Sequence, residues 1–190
     1  MKKIEDLIEK NGIYYEKNTN IPYNGKVIGS ATGLFKNGLP DGKWKEFSSK
    51  GILMSESNYV KGKLNGQFIN YFENGKLKEK GFLSEGKLNG LLKEFYREGQ
   101  LKLKENYRDD KKEGLSESFY ANGQLKELRN YKNGKLHGKY FYYYSNGKLW
   151  IKNIYKQGML HGERLVFFDN GTLEKKEKYE NGFNLTRALH

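Results

Sequence analysis

The sequence predicts an all-β chain: an elongated, twisted antiparallel meander of stacked 24-residue β-hairpins, with a short N-terminal helix as a cap. Three observations predict it. Glycine returns every 24 residues, at Gly42, Gly66, Gly90, Gly114, Gly138 and Gly162, and again at Gly51, Gly75, Gly99, Gly123, Gly147 and Gly171. Asn-Gly stands between extended runs, as at Asn74-Gly75, Asn122-Gly123, Asn146-Gly147 and Asn170-Gly171. That dipeptide favours a type I′ hairpin turn, which needs φ > 0 at both central residues. The apolar content is aromatic, with 15 Tyr, 11 Phe and 2 Trp beside 23 Gly and only 2 Pro. Such a mixture suits pleated strands cut by tight turns.

Taken in order, MKKIEDLIEK places Ile4, Leu7 and Ile8 at helical spacing and predicts a capping helix over 1–11, laid on the first sheet edge. Residues 12–41 read as incomplete and shortened units. Six full repeats follow over 42–185, leaving 186–190 as a tail. In the unit from 66 to 89, GQFINYF is the first strand and KLKEKGFL the second, and EGKLNG leads to the next unit. Lys50-Gly51 and Glu98-Gly99 fill the turn slot without asparagine, and Asp109-Asp110 replaces a link glycine. Strands about 4.8 Å apart make each hairpin advance about 10 Å, so the six repeats span roughly 60 Å, stabilised by neighbour contacts. Strands never alternate with helices, which excludes a nucleotide-binding α/β fold.

Composition limits the chemistry. There is no cysteine, so disulfides, thiolate nucleophiles and cysteine zinc sites are excluded. The N-terminal lysines are not followed by an apolar run, and no segment has the length of a membrane span, so a cytoplasmic protein is expected. The net charge of +12, from 35 Lys+Arg against 23 Asp+Glu, suits solubility and also attracts acidic proteins, anionic membranes or nucleic acid. GFLSEGKL (81–88) approaches a phosphate loop, but Leu88 stands where Ser or Thr would hold magnesium and no helix follows. Ser84-Glu85-Gly86-Lys87 matches S-x-x-K spacing without the helix that motif needs. His137 and His161 lie one period apart, where other units carry Asn65 and Asn89, so a turn role is expected and no metal site. Carboxylates are scattered. No catalytic residue, cofactor or small-molecule substrate is expected.

With a two-residue turn at 74–75, Phe72 stands opposite Leu77 and Tyr71 opposite Lys78. The same parity puts Phe95 opposite Lys102 and Phe119 opposite Lys126, so Lys78, Lys102 and Lys126 form an outward row suited to an anionic surface. In the fifth unit Tyr143 faces Trp150, with Phe141 and Ile154 on the same side and Phe119 and Phe167 extending the patch. An aromatic patch of this kind is a candidate partner-binding site. A turn with a bulge would shift the second strand by one residue and change this sidedness.

These units resemble MORN repeats, specifically the bacterial MORN variant, as GKWKEFSSKGILMSESNYVKGKLNG (42–66) and GKYFYYYSNGKLWIKNIYKQGMLHG (138–162) illustrate. The resemblance covers about residues 12–185. It departs from the eukaryotic form in its tryptophan, kept only as Trp44 and replaced by Phe68, Leu92, Ser116, Tyr140 and Arg164. The resemblance implies a non-catalytic scaffold for protein–protein interaction. The bacterial variant often carries the label of antitoxin in a toxin–antitoxin pair, so a toxin is one implied partner. Binding of anionic phospholipid or phosphoinositide is the alternative, and single-stranded nucleic acid ranks last for want of a motif.

Overall fold

The computed structural model describes residues 1–186. Its regular structure is nearly all β, a mostly antiparallel sheet of hairpins in chain order. The chain forms two compact units, one from Met1–Gly90 with Arg97–Gly99, the other from Leu91–Tyr96 with everything described from Gln100 onward.

In the first unit, Gly25–Ile28, Ala31–Lys36, Leu39–Phe47, Leu53–Val60, Gly66–Tyr71 and Leu77–Ser84 pair antiparallel with their sequence neighbours. The expected helix over 1–11 does not form. Lys2–Lys3 pairs parallel with Gly25–Ile28, Ile4–Asp6 makes a single 3-10 turn, and Leu7–Lys10 pairs with Ile13–Glu16 as a small hairpin. The physical reason lies in what must be covered. Phe35 and Trp44 present a broad apolar surface, and the adjoining backbone needs partners: the Tyr14 N–H donates to Gly38 O at 2.8 Å, and the Tyr23 N–H to Tyr14 O at 2.8 Å. A hairpin supplies both the side chains and the backbone groups, whereas a helix spends its backbone groups internally. Leu7, Tyr23, Val27, Ala31, Phe35 and Trp44 make the resulting core, with Phe35 against Tyr14 at 4.6 Å and against Trp44 at 4.8 Å between ring centroids.

In the second unit, Leu101–Arg108, Lys111–Phe119, Leu125–Lys132, Gly138–Tyr143, Leu149–Lys156, Gly162–Phe167 and Leu173–Glu180 continue the same pattern. Among its described hydrophobic residues only Leu92 and Val166 are buried. The aromatic rings remain half-buried because no second layer within this unit lies over either face.

Two kinds of turn alternate, and the type I′ turn expected at Asn-Gly is not found there. At 73–75 the Gly75 N–H donates to Phe72 O and the Phe72 N–H to Lys76 O, both at 2.8 Å. Gly75 has φ +78°, while Asn74 is not among the positive-φ residues. This is a three-residue loop ending in a left-handed glycine, a G1-bulge geometry, and not type I′. Only one position needs positive φ, which is why Lys50 and Glu98 can stand where asparagine stands elsewhere. The links carry the type I′ pattern instead: Lys61 (φ +48°) and Gly62 (φ +81°) are both left-handed, and Val60 pairs with Lys63 across them. Asp109 and Asp110 adopt it without glycine, at φ +48° and +64°. A short polar side chain tolerates that region better than most.

The register changes with the turn. Tyr71 pairs with Leu77, and the next pair is Asn70 with Glu79, so Lys78 is an extra residue on its strand. The same bulge falls at Lys126, between Phe119–Leu125 and Ser118–Glu127, and at Trp150, between Tyr143–Leu149 and Tyr142–Ile151. Each of these hairpins therefore shows an aromatic–leucine pair on what we term the stripe face. The bulged residue turns to the opposite side, termed the ladder face.

The ladder face takes its name from a repeated hydrogen bond. Tyr96 Oη donates to Phe119 O, Tyr120 Oη to Tyr143 O and Tyr144 Oη to Phe167 O, at 2.8, 2.7 and 2.9 Å. Each ties one hairpin to the next. Turn asparagines add a second tie in two neighbouring turns of this unit, Asn122 Nδ2 donating to Ser145 O at 3.0 Å and Asn146 Nδ2 to Asp169 O at 3.5 Å. Tyr120→Phe should lower stability by about 1 kcal/mol, the worth of a net hydrogen bond. Replacing all three tyrosines by phenylalanine should cost about 3 kcal/mol if the ties are independent, read as a shift in urea midpoint.

Candidate functional site

The second unit brings together most of the sequence-predicted partner residues. Phe119 pairs with Leu125, Tyr143 with Leu149 and Phe167 with Leu173. Phe141 lies beside Tyr143, with ring centroids 6.4 Å apart, and Ile154 shares the face through its pairing with Lys139. Phe119, Phe141, Tyr143, Ile154 and Phe167 thus stand on the stripe face, all half-buried. Trp150 does not join them. It stacks on Tyr144 at 5.0 Å and meets Tyr142 edge-on at 5.2 Å, on the ladder face. The expected Tyr143–Trp150 pair is absent because the bulge carries Trp150 to the other side.

The expected row of lysines also moves. Lys126 is on the ladder face, its ammonium 5.6 Å from the Tyr120 ring centroid and 5.9 Å from that of Tyr142. Lys102 pairs with Glu94 at 3.1 Å. Lys78, in the first unit, is exposed. The opposed pairs read from parity, Phe72/Leu77 and Tyr71/Lys78 with their equivalents Phe95/Lys102 and Phe119/Lys126, give way to the bulged register wherever the pairing is defined.

Charged stripe-face residues are mainly basic. Lys104, Lys139, Lys152, Lys176 and Lys178 share the face with Glu117 and Glu163. Lys104 is paired with Glu117 and Lys176 with Glu163, each at 2.7 Å, while Lys139 and Lys152 make no ion pair among the described residues.

The ladder face differs in kind, and its polar interior escaped sequence reasoning. Glu105 is 1% exposed and accepts hydrogen bonds from Tyr107 Oη, Lys112 Nζ and Ser116 Oγ at 2.8, 2.7 and 2.9 Å. Burial pushes its carboxyl up, but the three donors outweigh it and hold it below the usual carboxylate range. Burial and the Glu105 carboxylate push the Tyr107 phenol up in turn. Three repeats on, Glu177 takes Arg164 at 2.5 Å and Lys175 at 2.9 Å, with Asn184 Nδ2 donating at 3.0 Å. Burial raises this carboxyl too, yet its donors hold it down to about 2. Arg129 pairs with Glu127 nearby. One signal for these sites was present: the column that reads Ser57, Gly81, Glu105, Arg129, Asn153 and Glu177 alternates small, acidic and basic residues where a covered face would be apolar.

A carboxyl held low when folded stabilises the protein above its unfolded value, near 4.3, and that contribution disappears as pH falls towards about 2. Glu177→Gln should therefore be less stable than wild type at neutral pH. It should also lose less on acidification from about pH 5 to about pH 2, measured by urea midpoints across that range.

His137 and His161 serve the links. Their backbone N–H groups donate to Asn130 O and Ile154 O at 2.8 Å, as those of Asn65 and Asn89 do to Asn58 O and Phe82 O in earlier units. Among the described residues no cluster of three His, Cys, Asp or Glu could hold a metal, and no helix is long and apolar enough to cross a membrane.

Comparison with known proteins agrees with the hairpin architecture. The MORN repeat variant profile matches residues 40–61, 64–84, 88–109, 112–133, 136–157 and 160–181. No curated protein matches. Among solved structures, a likeness to an alternansucrase in complex with isomaltononaose runs over 95% of this chain but 18% of that one, at 18% identity. With a TM-score of 0.21, it carries no argument about fold or ligand. The six matched segments fall on successive hairpins tied by the same two turns, and the chain belongs to the MORN repeat variant family.

Proposed function

We propose that the chain is a non-catalytic scaffold whose second unit holds a protein partner on its stripe face. MORN repeats in general are protein or membrane interaction scaffolds. The observation that carries the reading is the placement of Phe119, Phe141, Tyr143, Ile154 and Phe167 on one face of a sheet that has no second layer within its unit. Aromatic anchors of this kind are what protein interfaces enrich. The opposite face satisfies its charges internally through Glu105–Lys112, Glu127–Arg129 and Glu177–Arg164. An inhibitory, antitoxin-like contact with a toxin is one form this function takes. Anionic lipid is the weaker reading, because Lys102 and Lys126 of the expected row are engaged with Glu94, Tyr120 and Tyr142.

The test compares capture of partners from extract by wild type, by Phe119→Ser with Phe167→Ser, and by Trp150→Ala, each first shown to be folded by circular dichroism. The stripe variant should lose at least about 30-fold in affinity, as for a hot-spot pair, while Trp150→Ala retains the wild-type partner. Loss with Trp150→Ala and retention with the stripe variant would assign binding to the other face.

A further inference from the structure

The geometry points to an acidic amphipathic α-helix as the segment that docks on the stripe face of the second unit. This inference rests on the reading above and names the partner's chemistry. Three features lead to it.

The first is spacing. Phe119–Leu125, Tyr143–Leu149 and Phe167–Leu173 are equivalent positions in successive hairpins. Two strands separate each pair from the next, so the anchors recur about every 10 Å across the sheet. A helix lying perpendicular to the strands returns the same side chain every seventh residue, a rise of about 10.5 Å. An extended peptide returns a side chain to one face about every 6.7 Å, and neither that step nor its double matches the anchors. The periods select a helix with an apolar residue in each heptad.

The second is charge. Phe141 opposite Lys152 and Leu165 opposite Lys176 lie two residues along their strands from the anchors, about 7 Å to one side. Lys139 lies further along in the same direction. A helix seated on the anchors brings the flank of its apolar seam over these lysines. Lys139 and Lys152 make no close ion pair among the described residues, although Lys152 acts on Glu163 at longer range, so a carboxylate brought there meets an ammonium without a close partner. The excess of lysine over glutamate on the face disfavours a basic segment, since like charges brought together oppose binding.

The third is the contrast between faces. The ladder face also carries aromatics, but Lys126 already covers Tyr120 and Tyr142, and Trp150 is stacked on Tyr144.

Fluorescent synthetic peptides of about three heptads, leucine at the two seam positions, would be titrated onto the full chain by anisotropy. One carries glutamate at the flanking positions, one lysine, and one the glutamate set with a central proline. Phosphatidylserine vesicles form a fourth arm. The acidic peptide should bind, with the lysine and proline peptides weaker by at least about tenfold. Tyr143→Ser, and separately Lys139→Glu with Lys152→Glu, should each weaken the acidic peptide by about tenfold or more, with melting curves confirming folded protein. Equal binding of both charge versions, no weakening by proline, no binding of the acidic peptide, or binding to vesicles alone would each overturn the inference. If the acidic peptide fails while Phe119→Ser with Phe167→Ser still abolishes capture from extract, the helix inference falls and the stripe-face reading stands. If capture is unchanged as well, both fall.

Discussion

Phe35→Ala is expected to destabilise the first unit by about 3–5 kcal/mol, the cost of emptying a buried aromatic site. Phe35 is 1% exposed and touches Tyr14 and Trp44, with Tyr23 edge-on at 6.1 Å. Losing the ring opens a void between the N-terminal hairpin and the sheet. The hydrogen bonds Tyr14 N–H to Gly38 O and Tyr23 N–H to Tyr14 O should then exchange with solvent much faster. The check is a urea titration read by Trp44 fluorescence in a Trp150→Phe background, together with amide exchange at Tyr14 and Tyr23. A loss under about 1 kcal/mol, with exchange unchanged, would mean that the hairpin is not held by this core.

Glu105→Ala should be comparably damaging, about 3–5 kcal/mol, for a different reason. The substitution strands the Lys112 ammonium, the Tyr107 phenol and the Ser116 hydroxyl, all of which donate to this one carboxylate. Partial exposure of Lys112, 33% for its side chain, places the expected value at the lower end. The compensating change is visible two repeats earlier, where Ser57 and Leu64 stand at the equivalent positions. Glu105→Ser with Lys112→Leu should recover most of the lost stability, because a charge pair replaced together leaves no uncompensated ion. Urea midpoints of the single and double variants decide it. A double variant no better than Glu105→Ala would show that the network does more than satisfy its own charges.

The stripe-face reading depends on a feature that counting along the chain could not supply. Parity assigned Trp150 to the face of Tyr143 and Lys126 to the face of Phe119. One bulged residue per hairpin reverses both assignments while leaving the anchors themselves, Phe119, Tyr143 and Phe167, in a row. A clue lay in the turns: Lys50 and Glu98 in the slot before glycine suit a loop with a single left-handed residue better than type I′. The tyrosine ladder had no such signal. Tyr96, Tyr120 and Tyr144 look like any aromatic column until the partner carbonyls of Phe119, Tyr143 and Phe167 are seen beside them.

The amino-acid sequence by itself determined the 24-residue unit, the hairpin within it and the antiparallel order of strands, because repeated glycines and paired aromatics are local signals that each unit carries alone. Tertiary structure decided the rest. Whether residues 1–11 became helix or hairpin depended on the bare surface of Phe35 and Trp44 and on backbone groups awaiting partners at Tyr14 and Gly38. Which side Lys126 and Trp150 took depended on a bulge that sets Leu125 and Leu149 opposite Phe119 and Tyr143 and leaves later pairs, such as Phe141–Lys152, as counting along the chain places them. Both outcomes arise from hydrogen bonds between strands, and no window along a single strand contains them.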